Sequence, residues 1–145
     1  MMLQGHNDSN DPFGKERQKI AADLYEQIKN RDKKYEIEAV AKHSGLSLDD
    51  VSRIHDHIFV RMHLLHEGSQ VSTFDADYYM AHSWRRLRDG KNIQKHDITM
   101  LKHELAEEKI MGKSLEIQYE KAHNEATKMY NYQKELLAYL KDHDV

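Results

Sequence analysis

The near absence of proline is the feature that most constrains this fold. The only proline is Pro12, so residues 13–145 contain none of the residue that breaks helices. Apolar residues in this stretch recur mainly every three or four positions, which is the period of an amphipathic helix. Four glycines follow helical patterns and mark their ends: Gly45, Gly68, Gly90 and Gly112. The sequence therefore predicts an all-α fold, a single-domain bundle of about six helices with a long C-terminal helix.

Length and composition predict one domain that follows a flexible arm. A chain of 145 residues is about one domain in size. Residues 1–14 are polar and lack periodicity, so we expect an arm there and an all-helical domain over 15–145. The formal charge of −3 does not mark a general binder of polyanions, and the absence of cysteine excludes a disulfide framework and a thiolate zinc site. No apolar run approaches the roughly 20 residues of a membrane helix, so we expect a cytoplasmic protein without a membrane partner.

One predicted helix, residues 95–111, is typical of a helix that is covered on two sides. Asp97 can cap its start, and Gly112 follows its end. At about 100° per residue, an apolar stripe forms on one side of this helix. The stripe contains Ile98, Leu101 and Leu105. The other side gathers imidazole, carboxylate and apolar groups: His96, Met100, His103, Glu107, Ile110 and Met111. Such a helix is a candidate floor for a functional site.

The strongest chemical motif on this helix runs from His103 to Glu107. Its H-E-x-x-E pattern differs by one residue from the zincin motif H-E-x-x-H, in which two histidines hold zinc and the glutamate is the base. His103 and Glu107 share a face and can bind a divalent metal such as zinc, with His123 or His96 as a further ligand. Without a metal, the same His and Glu make a general acid/base pair. A salt-bridged helix surface is the third interpretation, and all three stay open.

A second candidate is the segment from Asp75 to Arg88, in which three arginines lie beside Trp84. Arg85 and Arg88 can clamp a substrate phosphate, because guanidinium groups match phosphate oxygens. Alternatively, Trp84 is a core residue, and the arginines lie at a helix C-terminus, where the helix dipole favours positive charge.

Residues 36–59 fit a helix-turn-helix, with Gly45 in the turn. A DNA-binding regulator is therefore an alternative function. Asp49 and Asp50 argue against it, because they lie at the start of the second helix, where a DNA-binding helix meets phosphates. That second helix is predicted to run from Leu48 to about His66. Its histidines are interpreted as surface residues or pH-sensitive packing rather than as metal ligands: His55, His57, His63 and His66.

The last predicted helix, capped by Ser114, carries an unbroken seam with spacings of three and four. The seam comprises Leu115, Tyr119, Ala122, Ala126, Met129, Gln133, Leu136 and Leu140. It needs a partner, either an earlier helix or a second copy of the chain. A homodimer through the C-terminal helix, and with it a purely structural or interaction module, is therefore a further possibility.

Several short segments share an order that resembles a known family. They include Ser44-Gly45-Leu46-Ser47, Phe74-Asp75-Ala76-Asp77, Ser83-Trp84-Arg85-Arg86-Leu87, His103-Glu104 and Tyr119-Glu120-Lys121-Ala122-His123. Together they resemble helical C-terminal domains of phage head-morphogenesis proteins and polymorphic toxins of Gram-positive bacteria, over roughly residues 35–132. The resemblance implies an effector-like module that acts on nucleic acid, with one site lined by His96, His103, Glu104 and His123.

These observations lead to one principal hypothesis about function: a phage- or toxin-associated helical domain that hydrolyses phosphodiester bonds. His103 is assigned as general base or ligand, and Glu107 orients it. Glu104 and His96 are the neighbouring acid/base groups, and His123 is the facing imidazole. Arg85 or Arg88 is the predicted phosphate clamp.

Overall fold

The computed structural model describes residues 14–65, 70–112 and 117–143. These residues form seven α-helices, which confirms the all-α prediction. In chain order the helices are α1 (Gly14–Asn30), α2 (Lys33–Ser44), α3 (Leu48–His55), α4 (Tyr78–Asp89), α5 (Lys95–Met111), α6 (Tyr119–Met129) and α7 (Tyr132–Asp142). Gly14 begins α1, and the rest of the predicted N-terminal arm lies outside the described residues. No helix in the described ranges has the length and apolar character needed to cross a membrane.

Helix α5 lies at the centre of the fold and packs against α3, α4, α6 and α7. Eleven of its 17 residues are buried, so the expectation that it is covered on both sides is confirmed. The helix begins two residues before Asp97, whose side chain accepts a hydrogen bond of 2.8 Å from the backbone N–H of Gln94. Asp97 thus completes a capping box, which satisfies N–H groups that have no partner inside the helix.

The predicted helix from Leu48 to His66 is shorter in the structure. Helix α3 ends at His55 and continues as a π-helical segment, Asp56–Val60, whose wider turn closes with a bond of 2.7 Å from Arg61 N to Asp56 O. Strand β1 (His63–Leu65) follows and pairs antiparallel with β2 (Gln70–Ser72). The wider turn ends the α-helical hydrogen-bond pattern at this point, and three consecutive side chains of the segment are buried. These buried side chains are His57, Ile58 and Phe59.

The predicted C-terminal helix is two helices, α6 and α7, separated at Tyr130 and Asn131. Tyr130 has an extended backbone, and the Asn131 side chain caps α7 by accepting a hydrogen bond of 3.1 Å from Lys134 N. The seam is therefore interrupted, and Met129 is 59% exposed. Ser114 and Leu115 lie outside the described residues. Helix α7 packs on α5 of the same chain, which supplies an internal partner for its apolar face; the homodimer stays a prediction.

Candidate functional site

Glu107, on α5, is fully buried and holds three histidines from three different elements. Its Oε2 atom lies 2.6 Å from His103 Nε2, on the same helix, and 2.8 Å from His123 Nδ1, on α6. Its Oε1 atom lies 3.0 Å from Nε2 of His57, in the π-helical segment. Two of these contacts were predicted from the sequence. The third contact, from His57, joins the π-helical segment to the same carboxylate.

The proton positions on His103 follow from its second nitrogen. Nδ1 lies 2.9 Å from the carbonyl oxygen of Tyr130, which can only accept, so Nδ1 carries a proton. In the neutral ring Nε2 then has a lone pair, and this lone pair faces Glu107 Oε2 at 2.6 Å and His123 Nδ1 at 3.1 Å. Lone pairs repel at such distances. The arrangement therefore requires a cation between these atoms, either a proton or a metal ion.

Two carboxyl groups in this site have shifted pKa values of opposite direction. Burial alone would raise the pKa of Glu107, but hydrogen bonds from His103, His123 and His57 outweigh it and hold this pKa well below its usual value. The pKa of Glu104 is raised well above its usual value by burial and by the adjacent charge of Glu107. Burial and the neighbouring charge thus favour the neutral form of Glu104, whereas the hydrogen bonds from the histidines favour the charged form of Glu107.

The opening of the site to solvent lies at His123, whose side chain is 16% exposed while those of His103 and Glu107 are 1% and 0% exposed. Tyr119 OH is 3.0 Å from His123 Nδ1. Burial, together with the nearby charge of Glu107, raises the pKa of Tyr119, so its hydroxyl keeps its proton. The His123 imidazole is thus oriented with Nδ1 toward the interior of the site.

The donor set of His103, Glu107 and His123 fits a metal ion of the zinc class. One ligand atom from each residue lies within 4.8 Å of the others, and two imidazole nitrogens with one carboxylate oxygen leave a position for water or substrate. Metal-binding histidines usually donate their other ring N–H to a carbonyl or carboxylate, as His103 does to Tyr130. The residues present therefore fit such a metal.

The structure brings His103, Glu104, Glu107 and His123 together, but not His96. His96 precedes His103 by two helical turns, roughly 10 Å along the axis, which is too far for both to bind one ion. Its ring lies 4.8 Å from that of Tyr139 and 3.3 Å from a guanidinium nitrogen of Arg86. His96 thus packs between α5 and α7 rather than in the site.

The two predicted phosphate-binding arginines have other positions. Arg85 is exposed on α4. Arg88 Nη1 lies 3.2 Å from Oε1 of the fully buried Glu36, and Trp84 Nε1 donates to the same oxygen at 3.3 Å. Arg88 therefore compensates a buried carboxylate on α2, and Trp84 is a core residue, as the alternative interpretation proposed.

Replacing Arg88 with methionine is expected to lower the free energy of unfolding by about 2 kcal/mol, because Glu36 would lose a charged hydrogen-bond donor in a buried position. Arg31, 3.3 Å from the other Glu36 oxygen, limits the loss. Urea denaturation measures this change. Arg85→Met, on the exposed face of the same helix, is the control and should change stability by less than about 0.5 kcal/mol. Equal effects of the two substitutions would contradict the assignment.

The interpretation of His55, His57 and His63 as surface residues is wrong. All three are buried, at 3%, 0% and 1% exposure, and His57 belongs to the site. His63 donates from Nε2 to the His57 carbonyl at 2.8 Å and stacks on Phe74 at 4.0 Å. His66 lies outside the described residues. No periodicity in the sequence indicates His57, because its position depends on the π-helical segment.

The predicted helix-turn-helix corresponds to α2 and α3, joined through Gly45, which has a φ of 79°. The second helix is eight residues long, shorter than the predicted one. Arg53, its exposed cation, pairs with Asp49 at 3.3 Å. The acidic start of α3 remains the argument against phosphate contact.

Comparison of the chain with protein-family models, with curated proteins and with solved structures finds no match. The interpretation of the site therefore depends on its geometry.

Proposed function

We propose that this protein is a metal-dependent hydrolase whose divalent ion is bound by His103 Nε2, His123 Nδ1 and the Glu107 carboxylate. The supporting observation is the approach of 2.6 Å between a lone pair of His103 and an oxygen of Glu107. A metal ion satisfies both atoms and His123 Nδ1 at once; without it, Nε2–H of a protonated His103 and Nδ1–H of His123 would each donate to Glu107 Oε2.

When bound, a divalent ion in such a site would activate water for attack and polarise a substrate oxygen. The chain's own residues have separate roles. His103 and His123 would hold the ion, and the Tyr130 carbonyl fixes the ring of His103. Glu104, which follows His103 as the base follows the first ligand in zincins, is the group for proton transfer. Tyr119 OH lies 3.0 Å from His123 Nδ1 and packs beside this ligand.

The substrate that we propose is a phosphodiester, most simply that of a nucleic acid. The resemblance to phage and toxin domains supports this choice. A surface pocket beside the site adds a physical reason, because its lining includes Lys102, Lys109 and Tyr130. Tyr130 connects this pocket to the site, since its backbone carbonyl accepts the hydrogen bond from His103. Cations near an aromatic ring suit a chain of phosphates and bases.

The test is metal content followed by activity. Protein purified without an affinity tag should contain zinc or bind added Zn²⁺, and it should hydrolyse bis(p-nitrophenyl) phosphate and single- or double-stranded nucleic acid. His123→Ala should weaken Zn²⁺ binding by more than the roughly 10- to 100-fold that loss of an outer partner costs, and should abolish activity. His123 is suitable because its partial exposure limits damage to the core.

His82→Ala is the matched control, since His82 is a half-buried histidine of α4 whose ring contacts Tyr78 at 4.5 Å, outside the site. It should leave Zn²⁺ binding and hydrolysis unchanged. A folded wild-type protein that binds no Zn²⁺ from supplemented buffer would refute the metal site, and hydrolysis that persists in the presence of a chelator would refute the metal-dependent mechanism.

A further inference from the structure

The two oxygens of Glu107 face different groups of ligands. Oε2 contacts His103 and His123, whereas Oε1 contacts His57 Nε2 at 3.0 Å. His57 also belongs to a second set of potential metal ligands: one ligand atom each of His57, Glu104 and Glu107, all within 4.8 Å of one another. The carboxylate is thus shared between two donor sets.

One member of the second set has an unsatisfied polar atom. Glu104 is 3% exposed, and its Oε1 has no hydrogen-bond partner among the described residues. A carboxylate oxygen of Glu104 also lies within 4.8 Å of one of Glu107. Two buried carboxyl groups in contact repel unless a cation neutralises them, and a buried acceptor without a partner is costly. Both features point to a cation at this position.

We propose a second divalent-cation site formed by His57 Nε2, the Glu104 carboxylate and Glu107 Oε1, so that Glu107 bridges two ions. This inference rests on the proposed function, since the first ion is that of His103 and His123. With both ions bound Glu104 would be a ligand, so the proton-transfer role assigned to it above would apply only to the site with one ion.

The ligands of the two sites differ in character. The first site has two imidazoles and one carboxylate oxygen, which suits zinc. The second has one imidazole and two carboxylates, a harder set that suits Mn²⁺ or Mg²⁺ better. Pairs of ions about 3.5–4 Å apart stabilise the attacking and leaving oxygens in phosphodiester hydrolysis. A second ion therefore fits the phosphodiester substrate proposed above.

The π-helical segment is the local device that builds the second site. Its wide turn directs His57 inward from Asp56–Val60, and His63 fixes the backbone of His57 with a hydrogen bond of 2.8 Å. A π-turn inside a helix often marks a functional position. Here it places the His57 imidazole beside the Glu107 carboxylate on α5, fifty residues later in the chain.

The experiment is titration of metal-free full-length protein with Zn²⁺ and then Mn²⁺, with bound metal measured by elemental analysis after desalting. The wild type should bind two equivalents. Glu104→Gln, which keeps the side-chain shape, should bind one, and His57→Asn should also bind one; circular dichroism checks that each variant is folded. Glu108→Gln, the next acidic residue on α5, is the control and should bind two.

The outcomes separate the two proposals. A wild type that saturates at one equivalent overturns the second site and leaves the proposed function intact. Two equivalents in Glu104→Gln also overturn it, because Glu104 would then not be a ligand. A wild type that binds no metal refutes both. If His57→Asn fails to fold, the Glu104→Gln result decides alone.

Discussion

Replacing Glu107 with glutamine is expected to abolish metal binding at both positions, from two equivalents to none, while the protein stays helical. The carboxylate is the only ligand shared by the two donor sets in the described part of the chain. An amide has no charge and is a poor ligand, so both ions lose their common anion. The fold should survive, because the amide NH₂ can donate to the lone pair of His103 Nε2 that Glu107 Oε2 now faces at 2.6 Å.

The measurement is the same Zn²⁺ and Mn²⁺ titration, together with hydrolysis of bis(p-nitrophenyl) phosphate. The control is again Glu108→Gln, an identical change one residue later, where the carboxyl borders a surface pocket with Arg53 and Arg61. If the Glu107 variant kept one tightly bound ion, the bridging role would be excluded. If the Glu107 variant unfolded while His123→Ala still bound metal, Glu107 would instead have a purely structural role, as the anion that contacts three histidines.

The sequence predicts α5 and its motif well, for physical reasons that are local. The period of 3.6 residues places His103 and Glu107 on one face whatever the rest of the chain does. The apolar stripe on the other side requires cover there too, so burial of both faces follows. The contribution of His123 was also accessible, because Ala122 and Ala126 allow α6 to approach α5 closely.

The remaining part of the site depends on interruptions that periodicity does not show. His57 reaches Glu107 only because α3 widens into a π-turn, and His103 is oriented only because the chain leaves the helix at Tyr130 and frees a carbonyl. Both segments read as continuous helix in the sequence, since their residues have ordinary helix propensity. Tertiary contacts decided otherwise, as they often do where a helix carries a function.

The partners of buried charges were equally beyond the sequence. His96 and Arg88 have side chains that suit a phosphodiesterase, but each lies near a buried carboxylate outside the site. Arg86 lies between His96 and Asp97, and Arg88 lies on Glu36. A buried carboxylate needs a nearby cation. Which cation lies near it depends on how the helices pack, because the two residues are far apart in the sequence.

Replacing Asp77 with asparagine is expected to raise the free energy of unfolding above that of the wild type. This gain should be larger at neutral than at acidic pH, by about 3 kcal/mol. Asp77 caps α4 through Oδ1, which accepts from Tyr79 N and Met80 N at 3.0 and 3.1 Å, but its Oδ2 is buried without a partner among the described residues. Burial raises the pKa of Asp77 from 3.8 to about 6. Each pKa unit corresponds to about 1.4 kcal/mol, so the cost of ionising this group in the fold approaches 3 kcal/mol.

The sign follows from proton binding. Between pH 3.8 and about 6 the folded state keeps the proton of Asp77 and the unfolded state loses it, so this group makes stability fall as pH rises. Burial lowers the pKa of His63 to about 4, and this histidine has the opposite effect in an overlapping range. The pH profile of the wild type alone therefore does not isolate Asp77. The difference between wild type and variant does, because asparagine keeps the Oδ1 cap and removes only the charge.

Urea denaturation of both proteins in EDTA, at several pH values from 4 to 8, measures this difference without a contribution from metal. The advantage of the variant should grow through pH 4–6 and be constant above that range. Asp142→Asn, at the exposed end of α7, is the control and should show no such change. A difference that is independent of pH would mean that Asp77 ionises as readily in the fold as in the unfolded chain, and its buried oxygen would then have a partner in solution, such as an ordered water molecule.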